Sequence, residues 1–279
     1  MQSHSFNPKL GVMSYLKEIY KYLFFFTMIG FHGFVSADIG ASCDRLTATG
    51  NSEYPPFLWR KNTDSDQLMG INQLIINEIS QRLGKPIELK HTGPWSRAQR
   101  EVFSGRIDLM AGVFYTKQRS LKMDYIQPAF LETQSVVWTN TLAPFNYDNR
   151  YSLEGKLGAT VINNSFGQKF DQYAASNLQI ATVASIEQAF KMLLNQRVDY
   201  VLYEEAPGNA YIQQIWQYFP FEVQDPAISS EGLYLAFSQS SPCNTQALRD
   251  SLAVIMQDLT HEGFFEKMKE KGSAQWLLK

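Results

Sequence analysis

Ser104-Gly105-Arg106-Ile107-Asp108-Leu109 and Asn195-Gln196-Arg197-Val198-Asp199-Tyr200 are the two stretches whose reading decides the fold. Each closes a run of helical periodicity, turns on Arg-x-Asp and leads into a short apolar segment. One chain therefore builds the same helix-turn-strand unit twice. The residues beyond the two copies differ in sign: Thr116-Lys117-Gln118-Arg119 puts a cation past the first strand, and Glu204-Glu205 puts carboxylates at the end of the second. Two similar lobes offering opposite charges to a shared crevice are the expected result.

Working outward from the first copy, Leu46 to Gly50 reads as a strand, and Tyr54-Pro55-Pro56-Phe57 breaks it, since two prolines remove backbone donors. Ile71, Leu74, Ile75, Ile79 and Leu83 recur at helical spacing before Gly84 and Pro86, so a helix stops there. Ile87 to Leu89 is a strand, Trp95 to Phe103 a helix, and Ile107 to Val113 a nearly continuous apolar strand of the kind buried on both faces of a parallel sheet. Around the second copy, Leu157 to Ile162, Ile180 to Val183 and Val198 to Tyr203 read as strands. Between them, Ser165 is expected to cap a helix carrying Phe166, Phe170 and Tyr173, and Ser185 with Gln188 forms a capping-box pattern. Thr133 to Thr139 and Gly232 to Phe237 are the expected crossings between lobes, and Asn244 to Leu259 is a long amphipathic helix returning to the first lobe. Alternating strands and helices with short links place the chain in the α/β class with mainly parallel sheets.

The first 37 residues obey another logic. Lys17 and Lys21 precede an apolar stretch from Tyr22 to Phe34, and Val35-Ser36-Ala37 suits a signal peptidase, so residues 1–37 read as a cleaved secretory signal. The stretch is short for a membrane span, which needs roughly 20 residues. Removing it takes away a net +2 from a chain of −2 and leaves −4. Export also bears on the only two cysteines, Cys43 and Cys243: an even number in an oxidising compartment points to a bridge, the alternative being two buried thiols. The 279 residues, 44% hydrophobic and 19% charged, suit two moderate globular domains. Lys and Arg are scattered, which argues against a nucleic-acid surface. His4, His32, His91 and His261 have no metal-ligand spacing, no cofactor fingerprint is present, and nothing supports catalysis by a familiar route, so no metal, cofactor or enzymatic activity is expected.

Taken in order, Tyr54-x-Pro-Phe57, Gly70 opening a helix, Gly105-Arg-Ile-Asp108, Thr116-x-x-Arg119, Leu153-x-Gly155-Lys156 and Arg197-Val-Asp199 with an acid five residues on resemble family 3 extracellular solute-binding proteins. These are the periplasmic amino-acid-binding components of ATP-driven importers. The resemblance covers residues 44–271. It implies a two-lobed periplasmic-binding-protein (Venus-flytrap) fold with helices on both faces and a two-stranded hinge. The expected division is residues 38–137 for the first part of lobe 1, 138–230 for lobe 2 and 231–279 for the return.

The resemblance also implies a site. Arg119 would clamp a ligand carboxylate, a task its planar fork suits. Glu204 falls where an aspartate usually holds the α-ammonium, with Glu205 as an alternative partner. Gly112 would offer its carbonyl, and Phe114 replaces a small hydroxyl residue, which favours an aromatic, cationic or otherwise modified ligand. Tyr54 and Phe57 would pack on the ligand side chain or anchor their loop, and Ser165 would meet the carboxylate at a helix start. Trp95, after Pro94, reads as a buried helix-start residue, with reach into the cleft as the alternative. The expected protein is a monomer that delivers an amino-acid-like small molecule to an inner-membrane ABC permease. A cyclohexadienyl-dehydratase-like enzyme using Glu204 or Glu205 as general acid, and a ligand sensor for a membrane receptor, are the alternatives.

Overall fold

The computed structural model describes residues 43–62, 64–215 and 220–279. The signal-peptide reading of residues 1–37 lies outside them. In chain order the strands are β1 (Leu46–Thr49), β2 (Glu53–Tyr54), β3 (Leu58–Arg60), β4 (Leu68–Met69), β5 (Ile87–Leu89), β6 (Leu109–Val113), β7 (Met123–Asn140), β8 (Leu157–Val161), β9 (Gln179–Val183), β10 (Tyr200–Glu204) and β11 (Phe221–Ser238). The helices are α1 (Ile71–Leu83), α2 (Trp95–Phe103), α3 (Gln168–Asn177), α4 (Ile186–Leu194), α5 (Glu205–Ile215), α6 (Gln246–His261) and α7 (Phe264–Leu277).

Eight strands line up in the order β5-β1-β6-β11-β7-β10-β8-β9. The pairs β5/β1, β1/β6, β10/β8 and β8/β9 are parallel, while antiparallel pairing in this sheet is confined to β7 and β11 and their neighbours. Those two 18-residue strands run beside one another through both lobes, longer than the short crossings read from Thr133–Thr139 and Gly232–Phe237. Their ladder slips between Gln224 and Ser229, around Pro226, which cannot donate. A small sheet, β2-β3-β4, forms around Tyr54 to Phe57, where the sequence suggested only a rigid loop.

The doubled unit is visible as geometry. Asp108 accepts from the Thr47 amide at 2.7 Å, starting β1 beside β6. Asp199 accepts from the Leu157 amide at 2.7 Å, starting β8 beside β10. Each aspartate ties its own strand to the parallel neighbour, so neither faces a ligand. The turn needs positive φ at the same place in both copies, 75° at Gly105 and 53° at Gln196. Only glycine is tolerated in the first, because a Cβ there would lie 2.3 Å from the Ser240 carbonyl oxygen.

Continuous apolar strands are buried on both sides, as their composition suggested. In β6, Leu109 and Ala111 pack with Ile71, Ile75 and Ile79 of α1, whereas Met110 packs on the other face with Trp95, Ala98 and Val102 of α2. In β10, Val201 and Tyr203 join Ile186, Ala189 and Phe190 of α4, and Tyr200 and Leu202 join Phe170 of α3. The helix expected to begin at Ser165 starts two residues later, with Gly167 as its N-cap. Ser185 does cap α4, accepting from the Gln188 amide at 3.3 Å. After α6, a further helix not singled out in the sequence, α7, packs on α1.

Cys43 and Cys243 form a disulfide across a separation of 200 residues. The bridge joins the segment entering β1 to the segment entering α6. Closing so long a loop restricts the unfolded chain, and such bridges typically add about 2–4 kcal/mol. Replacing both cysteines by serine is expected to remove at least about 2 kcal/mol, read as a lower denaturant midpoint. An unchanged midpoint would show that the bridge adds nothing.

Candidate functional site

The carboxyl ends of β1, β6, β8 and β10 converge, as open α/β sheets require of a ligand crevice. A small cavity lies there, lined by Asn51, Tyr54, Trp95, Gly112, Val113, Phe114, Arg119, Asn164, Glu204 and Leu233. Gly112 explains part of its shape. Its φ of 92° breaks the strand alternation, so Val113 joins the cluster that holds Met110, and any Cβ on Gly112 would lie 2.6 Å from the Asn72 side chain.

Arg119 comes after β6 in a short 3₁₀ turn, its amide donating to the Thr116 hydroxyl at 3.1 Å. The guanidinium is buried, at 6% exposure. It donates to the carbonyls of Phe114 at 3.2 Å and Asn163 at 3.0 Å, and its Cζ lies 5.5 Å from the centre of the Trp95 ring. Among the described residues no carboxylate pairs with it, and burial lowers its pKa from the usual range. Two carbonyl dipoles and an aromatic face are partial substitutes for a counter-ion.

Glu204 is the last residue of β10 and is 1% exposed. Its Oε1 accepts from Asn164 Nδ2 at a long 3.5 Å, and its Oε2 has no partner among the described residues. Burial raises its pKa to about 7, against smaller lowering by its own backbone, Asn164 and Arg119. Directly across the ladder stands Ser135, whose buried hydroxyl is also without a partner. Tyr54 adds a second buried hydroxyl, beside the Thr133 side chain. One cavity thus holds a guanidinium and a carboxylate that do not pair with each other.

The residues expected at the site separate into two groups. Tyr54, Gly112, Phe114, Arg119 and Glu204 line the cavity, and Phe57 and Ser165 do not. Phe57 instead stacks on Tyr54, with ring centroids 5.0 Å apart. Ser165 Oγ donates to Asp171 at 2.5 Å, and the other oxygen of Asp171 accepts from the Phe166 amide at 2.8 Å. Asp171, in the first turn of α3, thus takes up the Ser165 hydroxyl and the Phe166 amide, two donors that would otherwise be open to an anion. Glu205 begins α5 and is absent from the lining.

Trp95 is buried at the start of α2 and also lines the cavity, so both readings offered by the sequence hold. Asn51 and Asn164 were missed; both lie just past strand ends, and that position was the available signal. The Asn163 carbonyl accepts three bonds from the first lobe, from Trp95 Nε1 at 3.2 Å, Gln99 Nε2 at 3.3 Å and Arg119 Nη2 at 3.0 Å. Left-handed backbone at Asn163, with φ of 61°, aims it there. Across the same cleft the Lys117 amide donates to Gln168 Oε1 at 2.9 Å, and the Tyr203 hydroxyl donates to the Glu53 carbonyl at 3.2 Å.

The family model for bacterial extracellular solute-binding proteins, family 3, matches residues 46–273. The chain belongs to this family. Among curated proteins this solute-binding protein is similar to the L-cystine-binding protein TcyA of Bacillus subtilis, at 22% identity over 236 residues, covering 81% of this chain and 80% of the relative. Among solved structures it is similar to the amino acid ABC transporter substrate-binding protein AbpA of Streptococcus pneumoniae bound to L-arginine. That match has a TM-score of 0.69 and 18% identity over 84% of this chain and 97% of the other. A histidine kinase sensor domain has the same TM-score of 0.69 at 17% identity, over 81% of this chain and 95% of that one. These structural likenesses establish the shared two-lobed fold.

Proposed function

We propose that this solute-binding protein captures a small zwitterion, an amino acid or close derivative, between its lobes in the periplasm and delivers it to an inner-membrane ABC permease. One observation carries the reading: Arg119 and Glu204 are buried in a common cavity with no ion pair to any described residue. Leaving buried charges unpaired costs several kcal/mol each, so an apo site of this kind is built for a ligand that supplies both counter-charges. The names of the relatives, one binding L-cystine and one bound to L-arginine, support the amino-acid class. In this reading Arg119 holds the carboxylate, Glu204 and the Tyr54 hydroxyl hold the ammonium, and Gly112 gives close backbone access. Trp95 and Phe114 cover the apolar part, and Phe57 and Ser165 support neighbours of the ligand.

The test is a thermal-shift screen of amino acids, polyamines and organic acids on protein unfolded and refolded to remove bound ligand. A true ligand at a hundred times its dissociation constant adds about 2.7 kcal/mol of stability. A flat response to every zwitterion would overturn the assignment. One feature favours a second reading: a buried carboxyl pushed up to about 7 has the acidity of a general acid. Incubation with prephenate or arogenate and a search for aromatic product separates an enzyme from a carrier.

A further inference from the structure

The charge inventory of the cavity narrows the ligand beyond "zwitterion", and this step rests on the assignment of Arg119 and Glu204 to the ligand's own carboxylate and ammonium. Once those two are engaged, no charged side chain remains among the described residues of the lining. Glu204 Oε2, which has no partner among the described residues, and the Tyr54 hydroxyl beside Thr133 are of the kind an ammonium with three donors takes up. What is left is Trp95, Val113, Phe114 and Leu233, with two amides. Asn51 already accepts from the Glu53 amide at 3.1 Å, and Asn164 is turned toward Glu204.

Neighbouring charges do not fill the gap. Asp171 borders the outer recess beside Arg119 and is already committed to the Ser165 hydroxyl and the Phe166 amide. Glu53 is close to Asn51 in sequence but does not line the cavity. Of the aromatic rings in the lining, Trp95 carries Arg119 and Tyr54 stacks on Phe57, which leaves Phe114 to meet the ligand side chain.

We propose that the cavity selects zwitterions whose side chain is uncharged and largely apolar, with Trp95, Phe114 and Leu233 as the selecting surface. The solved relative bound to L-arginine then differs from this protein in ligand class. A side-chain ammonium, guanidinium or carboxylate would enter the cavity without a partner, whereas a methyl or aromatic group of the same size gains by leaving water.

Isosteric pairs test this directly. Calorimetric titration of ligand-stripped protein with norleucine and ornithine, and with citrulline and arginine, compares side chains of similar shape that differ in charge. The neutral member of each pair is expected to bind at least about a hundredfold more tightly, the discrimination expected when one charge is left unpaired. Ornithine or arginine binding as tightly as its partner would overturn the proposal while leaving the zwitterion assignment in place. Binding by none of the four, with glycine also silent, would overturn both. A Phe114→Ser variant adds a second readout: norleucine affinity should fall about tenfold and glycine affinity hold within about twofold. Equal losses for both ligands would remove Phe114 from the selecting surface.

Discussion

Arg119→Ala is expected to lower ligand affinity at least about a hundredfold, or roughly 2.7 kcal/mol, without lowering the stability of the ligand-free fold. The two halves of the expectation have one cause. Without ligand the guanidinium is buried with no carboxylate paired to it among the described residues, held by the Phe114 and Asn163 carbonyls and the Trp95 ring. Its desolvation is therefore poorly compensated, and removing it costs the fold little. In the complex the same group supplies the only cation among the described residues of the cavity lining, and the Ser165 hydroxyl and Phe166 amide that could assist are held by Asp171. Removing it would leave the ligand carboxylate buried and unpaired, a penalty of about 3–5 kcal/mol in comparable cases. Calorimetry for affinity and denaturant unfolding for stability check the two halves separately. Unchanged affinity would remove Arg119 from the site. A large loss of stability would instead assign it a structural role.

Affinity for a zwitterion should rise with pH between about 5 and 7 and level off above. Glu204 titrates near pH 7 when the cavity lacks ligand, because burial disfavours its charge. An ammonium beside it favours the ionised form, so binding requires proton loss below that pH, and affinity should change by up to about tenfold per pH unit. The fold itself responds with the opposite sign. Below the ordinary glutamate value both native and unfolded chains keep the proton, so Glu204 has no effect. From about 4.5 to about 7 the unfolded chain releases it while the native cavity retains it, and stability falls with rising pH by a total of about 3 kcal/mol. Above 7 both forms are ionised and the loss is constant. Glu204→Gln should therefore be more stable than the parent at pH 8, equal to it at pH 4, and bind weakly at every pH. Titration in buffers of different ionisation enthalpy at pH 6 would report close to one proton released on binding. No proton release at pH 6 would rule out Glu204 as the ammonium partner.

Much of the architecture is legible in particular residues. Gly84 ends α1 in the left-handed conformation expected of a helix stop, and the apolar run into Val113 is buried on both faces by α1 and α2. The Arg-x-Asp turns recur because one backbone solution works in both lobes. The start of α3 was misplaced for a local reason: Asp171, six residues beyond Ser165, takes the serine hydroxyl and ends its availability as a cap. Missing the small sheet around Pro55 and Pro56 has a similar cause, since strands of two or three residues leave no periodicity to read.

Periodicity and turn chemistry are properties of neighbours in sequence, and for that reason the sequence alone determined the α/β class, the two repeated units, the family and the cysteine pair available for bridging. Burial and pairing across the cleft are properties of residues far apart in the chain, and they waited for the tertiary structure. Whether Arg119 was an exposed surface cation or a buried one was decided by the Asn163 carbonyl, 44 residues away. Whether Glu204 or Glu205 faces the cavity was decided by strand β10 ending one residue later than read, so that its side chain turns inward opposite Ser135. Trp95 became a cavity wall only when the second lobe supplied an acceptor for its ring nitrogen. The sign of each charge was readable in the chain, but the absence of a partner for each depends on what the fold brings within reach.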